Sequence, residues 1–80
     1  MLHTFILINV QPGMESEVLS SMKQLEKVEE AFLVFGQYDL VVKVRTDTRE
    51  ELWNYIANTI RVIEGVKGTL TLFPIYGFQR

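Results

Sequence analysis

Gly36-Gln37-Tyr38-Asp39 puts a glycine, an amide, a phenol and a carboxylate into four consecutive positions between two apolar runs. On the residues alone, two readings stand. In the first, the segment only reverses the chain: Gly36 supplies a positive φ, Asp39 bonds to nearby amides, and Tyr38 packs at the end of a sheet. In the second, amides left open at the turn hold a carboxylate, while Asp39 or a carbonyl holds an ammonium group. That second arrangement is a site for a small zwitterion.

No other group of residues competes with it. The single histidine, His3, has no second ligand at metal-binding spacing, and there is no cysteine, so neither a metal site nor a thiol nucleophile is expected. Ser16, Ser20 and Ser21 lack the glycine frame of an activated serine and fall on a helix surface. Glu29-Glu30 and Glu50-Glu51 are read as adjacent helical residues, which point about 100° apart and do not make a paired acid and base. Gly65-Val66-Lys67-Gly68 precedes a strand instead of opening a helix, so it is not a phosphate loop. No catalytic residue and no cofactor are assigned.

The elements that must position this turn are legible as changes of period. Leu2 to Val10 is a run of strand formers stopped by Gln11-Pro12-Gly13. Met14, Val18, Met22, Leu25 and Val28 then fall on one helical face. Ala31 to Phe35 reads as a second strand, and Leu40 to Arg45 alternates as a third. Thr48 and Glu51 form a capping box for a second helix. Its stripe is Leu52, Ile56, Ile60 and Ile63, widened by Trp53 and Ala57, and Gly65 ends it. Thr69 to Gly77 reads as the last strand, with Thr69, Thr71 and Phe73 on one face and Leu70 and Leu72 on the other.

The order β-α-β-β-α-β predicts an α+β, ferredoxin-like sandwich over 1–80: a four-stranded antiparallel sheet with two helices on one face. The first two strands are apolar on both faces, yet one chain has helices for only one. Residues 1–80 would bury only roughly 60–65% of their unfolded surface, and 48% of them are hydrophobic. Homodimerisation, sheet face on sheet face, is therefore expected. The formal net charge is −2, with 8 basic residues scattered among 10 acidic ones; this argues against direct contact with nucleic acid or an anionic membrane. The apolar N-terminus has no basic flank or cleavage signal, and no run is long enough to span a bilayer, so a cytoplasmic protein is expected.

"FGQYDLVVKV", followed by "ELWNYIANTIRVIEGVKGTLTLFPIY", resembles the C-terminal effector domain, or RAM domain, of the Lrp/AsnC family of bacterial and archaeal regulators. The matching pieces are Gly36-x-Tyr38-Asp39, the amphipathic helix over 49–63, Gly65-Val66 and Thr69-x-Thr71. Full-length members carry an N-terminal helix-turn-helix domain, for which this chain has no room, so it resembles the stand-alone members. The resemblance implies dimers formed through their sheets, assembling further into rings of four or five dimers (octamer or decamer). A free amino acid would sit between dimers near the turn. Gly36, Gln37 and Tyr38 would then be main-chain or packing contacts, Asp39 a polar contact, and Thr69 and Thr71 would line the same pocket.

The expected function is accordingly an amino acid-binding regulatory module, not an enzyme, that acts on a full-length paralogue or on an enzyme. Two alternatives remain open on the sequence. One is a ligand-free assembly domain. The other is a small dimeric α/β-barrel monooxygenase or isomerase, which shares the fold but generally places polar groups between helices and sheet.

Overall fold

A computed structural model describes residues 1–80. Chain order is β1 (Leu2–Val10), α1 (Glu15–Lys23), β2 (Val28–Leu33), β3 (Leu40–Thr46), α2 (Arg49–Tyr55) with a wide turn over Ile56–Ile60, and β4 (Val66–Leu72). The sheet order is β2-β3-β1-β4, and every neighbouring pair is antiparallel. This is the expected ferredoxin-like βαββαβ arrangement.

Period-two alternation in β1 and β3 decides what is buried. Ile6, Ile8 and Val10 from β1 and Leu40, Val42 and Val44 from β3 point to the helices. There they meet Val18 and Met22 of α1, and Leu52, Ile56 and Ile60. Burying each such aliphatic side chain contributes about 1.5–3 kcal/mol. Thr48 caps α2 as the sequence indicates, its hydroxyl accepting from the Glu51 amide at 3.1 Å. The reciprocal half of the capping box is not made, because the Glu51 carboxylate accepts from Lys27 Nζ at 2.8 Å instead.

Several boundaries differ from the sequence expectations. The first helix does not extend to Val28. After Lys23 the chain tightens, with Leu25 N donating to Met22 O and Val28 N to Leu25 O. Val28 then pairs with Val44 as the first residue of β2. Glu29 and Glu30 are therefore strand residues, not helical ones. Val34 and Phe35 fall outside the strand. The hairpin connection is a six-residue loop over 34–39, closed by Val34 N donating to Asp39 O at 3.0 Å.

In the second helix Leu52, Ile56 and Ile60 form the buried stripe, but Trp53 is 51% exposed and Ala57 is also exposed. A spacing of four drifts about 40° per step on a 3.6-residue helix. The wide turn, in which Arg61 N donates to Ile56 O at 2.9 Å, takes up that drift and keeps Ile60 beneath Ile56. Trp53, one position past Leu52, is rotated away from the core. Gly65 has φ +99°, and a Cβ there would lie 2.8 Å from Val18 Cγ2, so both conformation and space select glycine.

The last strand starts earlier and stops sooner than expected, at Leu72, just before Pro74, which has no N–H to donate. Phe73 packs on the core and against the Arg49 guanidinium, 4.7 Å from the ring centroid.

No helix covers the opposite face of the sheet; residues 74–79 border only its His3, Phe5 and Lys43 corner, across a hollow of about 570 Å³. Phe5 is paired with Leu72, Leu7 with Val41 and Leu70, and Phe32 with Val41. Phe5, Phe32, Leu70 and Leu72 are 39%, 57%, 44% and 47% exposed. One end of this face is charged: His3 Nδ1 lies 2.8 Å from Glu29 Oε1, and Arg45 and Lys43 reach Glu29 and Glu30 at 3.9 and 4.0 Å.

Candidate functional site

The loop over 34–39 joins β2 to β3 at the end of the sheet where β1 finishes. Asp39 fixes it there. Its amide donates to Ile8 O at 3.0 Å, and its Oδ2 accepts from the Val10 amide at 2.8 Å. Val10 is the last residue of β1 and is 3% exposed, so its amide has little access to water. Asp39 thus ties the loop to the end of β1 through its amide and one carboxylate oxygen, and leaves Oδ1 free of hydrogen bonds.

Between the two bonded amides, those of Val34 and Asp39, the loop carries four that bond to nothing within the chain: Phe35, Gly36, Gln37 and Tyr38. Gly36 has φ +141° and nothing within 4 Å of where a Cβ would stand. Gly36 and Gln37 are exposed, whereas Tyr38 and Asp39 are half-buried. A run of open donors beside a carboxylate has the polarity that a zwitterion requires: N–H groups for its anionic end and an oxygen for its cationic end.

Thr69 and Thr71 lie elsewhere on the same sheet. Both are half-buried and pair with Ile8 and Ile6. In a β ladder directly paired residues share a face, so the threonines point toward the helix side. Ile8 stands between Leu40 of β3 and Thr69 of β4, which puts Thr69 roughly 10 Å, two strand spacings, from the base of the loop. Within one chain the threonines therefore stand apart from the loop.

A neighbouring concavity of about 390 Å³ is lined by Arg61, Val66, Lys67, Gly68 and Thr69. Arg61 Nε donates to Thr69 Oγ1 at 3.1 Å. Gly65-Val66-Lys67-Gly68 opens a strand and not a helix, so it is no phosphate loop, and Arg61 as a lone basic residue carries no motif. Only the extra residue in β4, visible as a break in the ladder, would have marked them.

A second polar cluster sits at the opposite end, where Lys27 meets Glu51. The hydrogen bond between them holds the Lys27 ammonium above its ordinary value and the Glu51 carboxyl below its own. Burial raises the neighbouring Tyr55 phenol. No three His, Cys, Asp or Glu side chains converge as a metal site, and no helix is long and apolar enough to cross a membrane.

The βαββαβ sheet, with its apolar face away from the helices and a donor-rich loop at its end, defines a ferredoxin-like domain. The family model described as the Lrp/AsnC ligand binding domain matches residues 3–76; the chain belongs to the Lrp/AsnC family. HTH-type transcriptional regulator FL11 of Pyrococcus furiosus is 44% identical over 71 residues, covering 89% of this chain and 46% of that protein. This chain therefore spans about half the length of the curated regulators it matches. A solved structure from Thermus thermophilus is 32% identical with a TM-score of 0.91, and all of each chain is covered. A shorter match, 45% identical over 47 residues, is to homocitrate synthase of Sulfolobus acidocaldarius; it covers 59% of this chain and 10% of that enzyme.

Proposed function

We propose that this domain binds a free amino acid at the Gly36–Asp39 loop and uses it to control assembly. The observation that carries the reading is the run of four open amides beside the free Oδ1 of Asp39. The α-carboxylate is held by amides of Gly36, Gln37 and Tyr38, and the ammonium group by Asp39. Two chains pair through the open sheet faces. Thr69 and Thr71 of a neighbouring copy complete the pocket between dimers, since within one chain they stand apart from the loop. Rings of four or five dimers are the assemblies proposed.

A ligand shared by two dimers stabilises only the assembled state, so its concentration shifts the oligomer equilibrium. The output is regulatory, and the domain does no chemistry of its own. The relatives matched over 85–89% of the chain are transcriptional regulators, and that kinship supports action in the cytoplasm on a full-length paralogue. The partial match to homocitrate synthase favours a second target: the same kind of module attached to, or docking on, a biosynthetic enzyme.

The test is thermal unfolding and size-exclusion mass against each of the twenty amino acids at millimolar concentration. A ligand at 100 times its Kd adds about 2.7 kcal/mol per site. One amino acid or one related group should raise both midpoint and mass. If none does, while the mass stays that of a high oligomer, the chain is an assembly domain and the loop is only a turn.

A further inference from the structure

We propose a second ligand site, an oxyanion-binding concavity formed by Arg61, Lys67 and Thr69, that takes the carboxylate or phosphate group of a small molecule. It does not rest on the amino acid reading, with which it shares Thr69 alone.

Two departures from regular structure converge there. The wide turn over Ile56–Ile60 delivers Arg61 at its end, with Arg61 N bonded to Ile56 O. On the facing strand the ladder pairs Asn9 with Gly68 and Val10 with Val66, so Lys67 is an extra, unpaired residue. A bulge of this kind turns its side chain out of the regular alternation. Both cations then line the same concavity of about 390 Å³.

The donors are arranged and unused. Arg61 Nε is fixed on Thr69 Oγ1 at 3.1 Å, which leaves the outer guanidinium N–H groups free. Thr69, having accepted that bond, retains its own O–H to donate. No acidic residue lines the concavity, and neither Arg61 nor Lys67 enters any ion pair. Most other basic side chains are engaged: Lys27, Lys43 and Arg45 by carboxylates, and Arg49 and Arg80 by aromatic rings. In a chain of net charge −2, two unpaired cations and a hydroxyl facing one hollow select an anion with several acceptor oxygens. Gly68, with nothing within 4 Å of its missing Cβ, leaves the floor open.

The experiment is calorimetric titration and thermal unfolding of the full chain with inorganic phosphate, acetate and, at matched ionic strength, sodium chloride. Wild type, Lys67→Gln, the Arg61→Gln/Lys67→Gln double variant and Lys23→Gln are compared, with folding checked by circular dichroism. Lys67→Gln breaks no hydrogen bond within the chain, so it tests the site even if the double variant unfolds. Phosphate or acetate should bind and raise the midpoint beyond chloride. The double variant should bind about tenfold more weakly, the effect of losing one or two exposed charge-assisted hydrogen bonds. Lys67→Gln should fall between, and Lys23→Gln should match wild type. A phosphate response identifies a phosphorylated ligand or the free ion; a response to acetate alone identifies a carboxylate. Chloride acting as strongly, wild-type affinity in the double variant, or an equal loss in Lys23→Gln overturns the proposal. Because the Gly36–Asp39 loop is untouched in every variant, failure here leaves the amino acid response to be judged separately.

Discussion

Asp39→Ala should destabilise the protein in the absence of any ligand, and by an amount the geometry sets. The substitution removes a 2.8 Å hydrogen bond from the Val10 amide to a carboxylate and leaves that amide, on a residue 3% exposed, without a partner. A hydrogen bond to a charged group is worth about 1.5–3 kcal/mol net, and an orphaned buried donor costs about 1–3 kcal/mol. The two figures describe overlapping losses, so about 2 kcal/mol is the expected total. For a domain of this size each kcal/mol moves the midpoint by about 4–8 °C, giving a fall of roughly 8–16 °C. Asp39→Asn keeps a neutral acceptor in place, and a charge-assisted bond is roughly twice as strong as a neutral one, so about half the loss is expected. The assay is circular-dichroism melting at pH 7, ligand-free, at one fixed protein concentration. An Asp39→Ala midpoint within about 2 °C of wild type would refute the strand-anchoring role, since shifts that small correspond to well under 1 kcal/mol. The comparison also guards the ligand test: a lost amino acid response marks Asp39 as a ligand contact only in Asp39→Asn, where the loop stays anchored, and a response that survives there counts against that contact.

Other outcomes follow from contacts on different elements. Gly65→Ala should cost roughly 2–5 kcal/mol in urea denaturation: its φ of +99° disfavours any Cβ by about 1–2 kcal/mol, and the 2.8 Å approach to Val18 adds overpacking of about 1–3 kcal/mol. Leu72→Glu, which places a charge opposite Phe5 on the open face, should convert the proposed sheet-to-sheet dimer to monomers by light scattering while the helix signal persists; an unchanged oligomeric mass would refute pairing through this face. The Lys27–Glu51 pair makes a small, salt-sensitive contribution with a defined pH window. Because Glu51 is lowered by its bond to Lys27, its share is fully present above the ordinary carboxyl value of about 4.3 and is lost as pH falls through the lower folded-state value. Because Lys27 is raised, its share is present below the ordinary value of about 10.4 and is lost as pH climbs through the higher folded-state value. Glu51→Gln should flatten the acid limb of a stability–pH profile and leave neutral stability nearly unchanged.

The sequence carried the topology because each element announced itself by period and by its stop. Gly13 adopts positive φ between β1 and α1 and Gly65 between the second helix and β4, and Thr48 caps the second helix. The strand-boundary errors share one cause: local periodicity does not know which backbone groups will find ladder partners. Val28 fits the helical stripe by spacing but gains more as Val44's neighbour in the sheet. Phe35 belongs by composition to a strand, yet the loop that Asp39 closes excludes it. Trp53 looks like core by type and is solvent-facing by angle. The candidate loop was visible as a set of residue types, and its four open amides were not, since pairing is a property of the folded backbone. Thr69 and Thr71 were placed near the loop by resemblance, and one chain keeps them two strands away from it.

That separation has a thermodynamic consequence. If the loop alone held the amino acid, each chain would bind independently, and the thermal shift at saturating ligand would not depend on protein concentration. If a neighbouring copy supplies the threonines, the complete site exists only in the assembly. Ligand binding and association are then one linked equilibrium, and dilution weakens apparent affinity. If chains pair as proposed through the open face carrying Phe5, Phe32, Leu70 and Leu72, dimers should persist at dilutions where ligand-dependent contacts between dimers do not. Measuring the amino acid response over a hundredfold range of protein concentration therefore separates the two cases. A shift that grows with concentration requires a shared site. A constant shift places the whole pocket within one chain or one dimer, and would require the loop's own amides and Asp39 to hold the ligand without the threonines.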